Sequence, residues 1–178
     1  MPTPTELRNA LIASGEPLGV VSGGQTGVDR AALDAAIAMG IPHGGWCPKG
    51  RTAELGETIP DRYLLVETAE ADHAVRTRKN IEDSDATVVF LGPSFGGGTR
   101  LTIEHAERVK GPDRTLVLDA FGISPDEIEE AGDKLVKLNV LVLNVAGPRE
   151  SICPGIYNRV EPLARQLYSA ILARRGNG

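Results

Sequence analysis

The stretch VVSGGQTGVDRAALDAA, residues 20–36, predicts the fold class of this protein. It opens on valines, passes through a glycine-rich turn, and continues from Val28 as an alanine-rich helical pattern. A buried strand that runs through such a turn into a helix is typical of the first half of a βαβ unit. The stretch therefore indicates a parallel sheet, and it raises the question of why the turn carries so little side chain.

Strand and helix patterns alternate along the rest of the chain. Strands are predicted at residues 18–21, 63–67, 86–92, 115–121 and 140–147, with one more short strand within residues 41–51. Helices are predicted at residues 3–14, 28–39, 72–83, 99–110, 124–138 and 154–174. The strands are continuously apolar, which is typical of strands covered on both faces. We therefore predict an α/β fold with a doubly wound, mostly parallel sheet flanked by helices, in a single domain over residues 1–178.

Composition narrows the classes of function. The chain has 178 residues and a formal net charge of −5, which argues against a nucleic-acid partner. No run reaches the length of a membrane span, and the start is typical of a capped helix with Thr3 as N-cap and Glu6 as its capping-box partner. Cys47 and Cys153 are too few for a disulfide framework. We expect a cytoplasmic protein with no membrane partner.

The glycine-rich turn predicts an anion site. Backbone N–H groups of such a turn approach a ligand closely, and the positive end of the following helix points at the same place. Arg30 would add a counter-charge. The alternative is that the glycines only make a tight turn, with Asp29 stabilising the helix dipole. The residues of the predicted cradle are Gly23, Gly24, Gln25, Thr26 and Gly27.

A second stretch, FLGPSFGGGTRLTIEHA at residues 90–106, repeats the arrangement of strand, glycine turn, hydroxyl and helix. Its candidate ligand-binding residues are Gly96, Gly97, Gly98, Thr99 and Thr102. Because the carboxyl ends of parallel strands meet at one edge of the sheet, the two turns are expected to face one cleft. Together they predict a site for a ligand that carries one or more phosphates.

Four further residues are candidates for the same cleft. Lys49 and Arg51 stand in GWCPKGR, where a sole tryptophan beside two cations could form a ligand wall or an anchored loop. Arg76 and Asn80 share one helix face, which could equally be a solvated surface. No P-loop, dinucleotide fingerprint, nucleophile elbow or zinc spacing is present, so we predict no resident metal.

Four stretches carry a family resemblance: SGGQTGVDRAALDAAIAMGIPHGGWCPKGR, RTRKNIEDSDATVVF, GGGTRLT and LNVAGPRES. Together they resemble the molybdenum-cofactor carrier family, which is also described as circularly permuted YpsA-like members of the SLOG superfamily. The resemblance spans residues 18–172. It implies a Rossmann-like fold, a homo-oligomer (dimer or tetramer) and a pocket for an anionic ligand. The ligand that it implies is the molybdenum cofactor, a pterin with a phosphate, which carriers protect and deliver without turnover.

The sequence is also distantly similar to the LOG-type phosphoribohydrolases of the same superfamily, whose PGGxGTxxE motif carries a catalytic glutamate. Thr102 stands at that position here, and Glu104 follows about 200° further round the helix. The missing carboxylate favours binding over glycosidic chemistry. Asp29 or Glu54 could still supply a carboxylate from another loop. A nucleoside 5'-monophosphate N-glycosidase and a nucleotide-derivative sensor therefore remain alternatives to a carrier.

Overall fold

The computed structural model describes residues 1–176 and contains a five-stranded parallel sheet between two layers of helices. The strands are β1 Gly19–Val21, β2 His43–Gly44, β3 Trp46–Cys47, β4 Val66–Glu67, β5 Ala86–Leu91, β6 Thr115–Asp119 and β7 Val142–Ala146. The helices are α1 Pro4–Ser14, α2 Val28–Ala38, α3 His73–Glu82, α4 Gly97–Lys110, α5 Pro125–Lys137 and α6 Ile156–Arg175. The strand order is β2-β1-β7-β5-β6, and every pairing is parallel. The predicted α/β fold with a doubly wound sheet is confirmed.

Alternating side chains of the central strands separate the two faces of the sheet. Val20 and Leu143 point into the main core with α2, α5 and α6, whereas Val21 and Val142 pack on α1. Helices α3 and α4 contact each other, and α4 lies against β5 and β6. Because each face is covered, the inner strands are apolar on both sides. Among residues 1–176, none of the helices is both long enough and apolar enough to cross a lipid bilayer.

The predicted strand at residues 63–67 is wrong in extent. Within this range only Val66–Glu67 (β4) forms a strand, and it pairs with β3 in a separate two-stranded sheet. Tyr63 and Leu65 instead pack with Ile59 and Leu33 in a small second core. Their apolar side chains thus serve to bury a long loop rather than to extend the main sheet. Residues 41–51 contain two short strands where the sequence predicted one.

The first helix begins as predicted. The Thr3 hydroxyl accepts from the backbone of Glu6, the Glu6 carboxylate accepts from the backbone of Thr3, and Gly15 ends the helix at φ 73°. This reciprocal capping box satisfies two backbone donors that would otherwise lack partners. The helix is then attached to the sheet by Asp85, whose carboxylate accepts from Arg8 (3.0 Å) and from the backbone N–H of Val142 (2.8 Å).

We expect the substitution Asp85→Asn to weaken the fold in a pH-dependent way. Burial opposes ionisation of Asp85, but hydrogen bonds from Arg8 and from the start of β7 outweigh it and lower the pKa of this carboxyl. A carboxyl with a depressed folded-state pKa stabilises the fold above its unfolded pKa, and the contribution is lost as pH falls through the folded value. The variant should lose about 2 kcal/mol of unfolding free energy at neutral pH.

Urea unfolding across a pH series measures this effect. The difference between wild type and Asp85→Asn should shrink below about pH 4 as the wild-type carboxyl becomes protonated. Asp113→Asn is the control, because the Asp113 side chain is 89% exposed. A difference that stays constant down to acid pH would contradict the assigned role of the ionised carboxylate.

Candidate functional site

Three loops meet at the carboxyl edge of the sheet. The first glycine loop (residues 22–27) follows β1, the second glycine loop (residues 92–96) follows β5, and the β7 loop (residues 147–155) follows β7. Since β7 lies between β1 and β5, the two glycine loops are two strand spacings apart, or about 10 Å. The edge is the place where ligands bind in open α/β sheets.

The first glycine loop is packed tightly by the protein itself. Gly27 has φ 77°, and a Cβ atom there would lie 2.5 Å from the Pro148 carbonyl oxygen of the β7 loop. Gly24 has φ 74° and faces the Leu65 side chain. The backbone N–H of Val28 donates to Pro148 at 3.2 Å. The glycines of this loop are therefore required by the fold, and part of the helix terminus is already satisfied by the β7 loop.

The second glycine loop leads into an open helix terminus. A Cβ atom at Gly96, Gly97 or Gly98 would meet nothing within 4 Å, and none of the three has a positive φ. Thr99 and Thr102 are buried at the start of α4, and the Thr102 hydroxyl donates to the Gly98 carbonyl at 2.9 Å. Packing therefore does not require glycine at these three positions, in contrast to the first loop.

This contrast predicts opposite effects of alanine in the two loops. Gly27→Ala should destabilise the protein by about 2 kcal/mol, through its positive φ and the clash with the β7 loop. Gly97→Ala should be neutral or should stabilise α4 by about 0.5 kcal/mol, because alanine is the better helix former. Urea unfolding of both variants measures the difference, and equal losses would mean that the second loop is also held by packing.

Arg76 connects α3 to the first glycine loop. Its Nη1 donates to the Asp29 carboxylate at 2.9 Å, and the two side chains are only 11% and 4% exposed. The guanidinium lies where a side chain at Gly23 would be, which explains that glycine. The Nε atom is buried and has no hydrogen-bond partner within residues 1–176. Arg76 is therefore not on a solvated surface, and it has donor capacity that the described residues do not use.

Arg51 is placed quite differently. Its guanidinium donates to the carbonyl oxygens of Ile59, Pro60, Tyr63 and Leu65 at 3.0–3.1 Å. These bonds hold the loop that covers the second core. Lys49, two residues earlier, is exposed. The structure thus gives Arg51 a structural role and does not bring its charge to the glycine loops.

Asn80 also holds backbone. Its side-chain oxygen accepts from the N–H of Trp46 at 2.7 Å, and its side-chain nitrogen donates to the Trp46 carbonyl at 3.0 Å. The Trp46 indole donates to Asp83 at 2.7 Å and lies under the Lys79 ammonium. This pattern attaches β3 to α3, so Asn80 and Trp46 form the anchored loop that the sequence left as one alternative.

Glu54 joins the first glycine loop to the β7 loop. Its carboxylate accepts from the hydroxyls of Thr26 and Ser151, and Gln25 accepts from the Glu54 backbone N–H at 2.9 Å. Burial opposes ionisation, but the hydrogen bonds from Ser151 and Thr26 outweigh it and lower the pKa of Glu54. Both candidate carboxylates, Asp29 and Glu54, are therefore engaged by protein donors.

Polar side chains of α3 face the first glycine loop: His73 lies 3.4 Å from the Gln25 amide, and Arg76 is paired with Asp29. Glu82, the last residue of α3, bonds both His105 and Lys110 in the second half of α4, so the C-terminal ends of these two helices lie together. Burial, and then the charges of Arg76 and Arg149, lower the pKa of His73. His73 and Ser151 are site residues that the sequence analysis missed, because neither stands in a glycine motif.

Metal-binding chemistry is not evident in the side chains. Across residues 1–176, no three His, Cys, Asp or Glu side chains are grouped so that they could hold a metal ion. The donors at the edge are Arg76, the backbone N–H groups at the start of α4 and the glycine backbone, beside the Asp29 and Glu54 carboxylates, which protein donors already engage. Donors of this kind suit an oxyanion.

The fold and edge define a Rossmann-like α/β protein with a glycine-lined site at the carboxyl ends of its strands. A sequence profile of the circularly permutated YpsA SLOG family matches residues 20–168. The chain therefore belongs to this family.

Solved structures give a further comparison. A protein of Syntrophus aciditrophicus SB, provisionally named a molybdenum carrier protein, is 42% identical, with a TM-score of 0.74, and the match covers 88% of this chain and 96% of that one. A structure of (E)-4-hydroxy-3-methyl-but-2-enyl diphosphate reductase is only 10% identical, with a TM-score of 0.31, and the match covers 89% of this chain and 64% of that one. None of the curated proteins compared with the chain matches it.

Proposed function

We propose that this protein binds a phosphate-bearing small molecule and acts as a carrier or storage protein for the molybdenum cofactor. The observation that carries the proposal is the run Gly96–Gly98 at the start of α4, where the fold does not require glycine because a Cβ atom would meet nothing within 4 Å. Glycine with open space around its Cα is suited to close contact with a ligand, and the N-terminus of α4 adds a positive dipole.

The donor set fits the proposed cargo. The phosphate and molybdate groups of the cofactor are oxyanions, which accept hydrogen bonds from guanidinium and backbone N–H groups. The unpartnered buried Nε of Arg76 supplies a donor of this kind. A buried donor without a partner costs free energy, and a ligand acceptor that reaches it would remove that cost. The name of the Syntrophus aciditrophicus neighbour supports the same assignment.

The state of the carboxylates favours binding over turnover. Asp29 is paired with Arg76, and Glu54 accepts from two hydroxyls, so neither is positioned as a free base or nucleophile. A nucleotide N-glycosidase needs such a carboxylate beside the ribose. In this proposal the protein therefore holds its ligand without converting it. We also propose that it is a homo-oligomer, like the carriers that it resembles.

Native mass spectrometry of the freshly purified protein tests the proposal. We expect a bound pterin phosphate, with molybdenum detected by elemental analysis, and a higher oligomer in the same spectrum. The variant Arg76→Met should lose the bound species, whereas Arg78→Met, an exposed position on the same helix, should keep it. A bound nucleotide, or release of the base from added adenosine monophosphate, would contradict the carrier function.

A further inference from the structure

A cavity lies beside the first glycine loop, between α2, residues 54–63, the β7 loop and the start of α6. We call it the Tyr157 cleft, and its volume is about 540 Å³. This size is within the range of small-molecule sites. The residues that matter for its chemistry are Arg30, Asp34, Leu55, Glu57, Tyr63 and Tyr157.

The cleft is acidic. Four carboxylates and two guanidiniums line it. An excess of negative charge disfavours a phosphate group at this place. The cleft therefore needs a ligand group that is neutral or positive.

Asp34 is the centre of the cleft's polar groups. Its Oδ2 accepts from the hydroxyls of Tyr63 (3.1 Å) and Tyr157 (2.7 Å) and from Arg62 (2.9 Å). Burial, and then the hydrogen bond to Asp34, raise the pKa of the Tyr157 phenol, which therefore stays a donor. No hydrogen bond to the other oxygen of Asp34 is found within residues 1–176, so this oxygen is an available acceptor.

Arg30 places a donor and an acceptor side by side. Its Nη1 donates to Glu57 at 3.0 Å and its Nε to the Gly24 carbonyl at 3.2 Å. Its Nη2 is buried without a partner among the described residues. The ion pair thus leaves one guanidinium donor next to a half-exposed carboxylate, which is the complement of a ring carbonyl next to a ring N–H.

Leu55, at the rim of the cleft, combines an exposed apolar side chain with a strained backbone conformation. Leu55 is 88% exposed and has φ 58°, in the left-handed region that a branched side chain rarely occupies. Strain of this kind persists where the surrounding structure holds it, and it is concentrated at ligand sites. With Tyr157 and Pro60, Leu55 forms an apolar edge against which a flat ring can pack.

We propose that the Tyr157 cleft binds a neutral, planar aminoheterocycle with a lactam edge, whose N–H groups donate to Asp34 and Glu57 while its carbonyl accepts from Arg30. Because Nη2 of Arg30 is buried, this contact requires the cleft to open at Arg30 when the ring binds. Oxopterins and guanine share this 2-amino-4-oxopyrimidine edge. The inference rests on the proposed function in one respect: the ring that the cleft binds is part of the same ligand that carries the phosphate.

Pterin without a phosphate group is the probe, because its fluorescence reports binding directly. We expect saturable binding that is about 10-fold weaker in Asp34→Asn, which lacks the charged acceptor. Leu55→Ala removes an exposed side chain that the fold does not use, and it should weaken binding about 3-fold through lost ring contact. Asp126→Asn, at an exposed position on α5, is the matched control and should bind pterin like wild type.

The outcomes separate the two proposals. If guanosine, measured by competition, binds more tightly than pterin, the cleft is assigned to nucleosides. If guanosine displaces pterin but binds more weakly, the cleft is assigned to pterins. Either result supports recognition of the lactam edge. Absence of saturable binding of either probe, or equal binding by wild type, Asp34→Asn and Leu55→Ala, would overturn the inference. Phosphate binding that is insensitive to Arg76→Met would overturn the proposed phosphate site instead, whatever the pterin result.

Discussion

Replacing Arg76 with methionine is expected to weaken the binding of inorganic phosphate by about 10- to 100-fold. The guanidinium of Arg76 would make charge-assisted hydrogen bonds to phosphate, which are about twice as strong as bonds between neutral groups, and methionine makes none. Arg76 lies against the first glycine loop, is 11% exposed, and has an unpartnered Nε. Titration with phosphate followed by ³¹P line broadening measures the effect.

Two controls separate binding from folding in this experiment. Arg78→Met changes an exposed arginine on the same helix and should leave phosphate binding unchanged. Because Arg76→Met leaves the Asp29 carboxylate buried without its partner, the double variant with Asp29→Asn should recover stability but not phosphate affinity. Recovery of affinity in the double variant would mean that Arg76 only compensates Asp29, and the proposed site would lose its main cation.

Replacing Arg51 with methionine is expected to lower the free energy of unfolding by about 3–5 kcal/mol. The change removes the guanidinium donors of four carbonyl oxygens: those of Pro60 and Tyr63 keep a backbone N–H donor each, whereas those of Ile59 and Leu65 lose the donor that Arg51 supplies. Arg51→Lys should lose nearly as much, because one ammonium cannot reproduce the planar array of guanidinium donors. Urea unfolding followed by circular dichroism measures both variants.

Lys49→Met is the matched control for Arg51. It removes a positive charge two residues away from an exposed side chain, and it should change stability by less than about 0.5 kcal/mol. If Arg51→Met had the same free energy of unfolding as wild type but no longer bound phosphate, Arg51 would be a ligand-binding residue, as the sequence alone allowed. Loss of stability with phosphate affinity retained in the folded fraction is the result that the structure leads us to expect.

The sequence by itself determined the class of fold and the edge of the sheet at which the candidate site lies. Alternating strand and helix patterns are local, since each depends on side-chain periodicity within one segment, so most of the elements were predicted close to their observed bounds. The strand at residues 63–67 failed, because an apolar run in a long loop can fill a satellite core as well as a sheet. The glycines that follow two buried strands likewise predicted the positions of both glycine loops.

Only the tertiary structure decided what each candidate residue contacts. Arg51 and Arg76 are equal candidates in the sequence, yet one guanidinium is enclosed by four carbonyl oxygens and the other retains an unpaired donor beside Gly23. The two glycine stretches also look alike, yet Gly27 is packed against the β7 loop, whereas a Cβ atom at Gly96, Gly97 or Gly98 would meet nothing within 4 Å. These differences depend on contacts between segments that are distant along the chain, and no local pattern encodes which neighbour a side chain will meet.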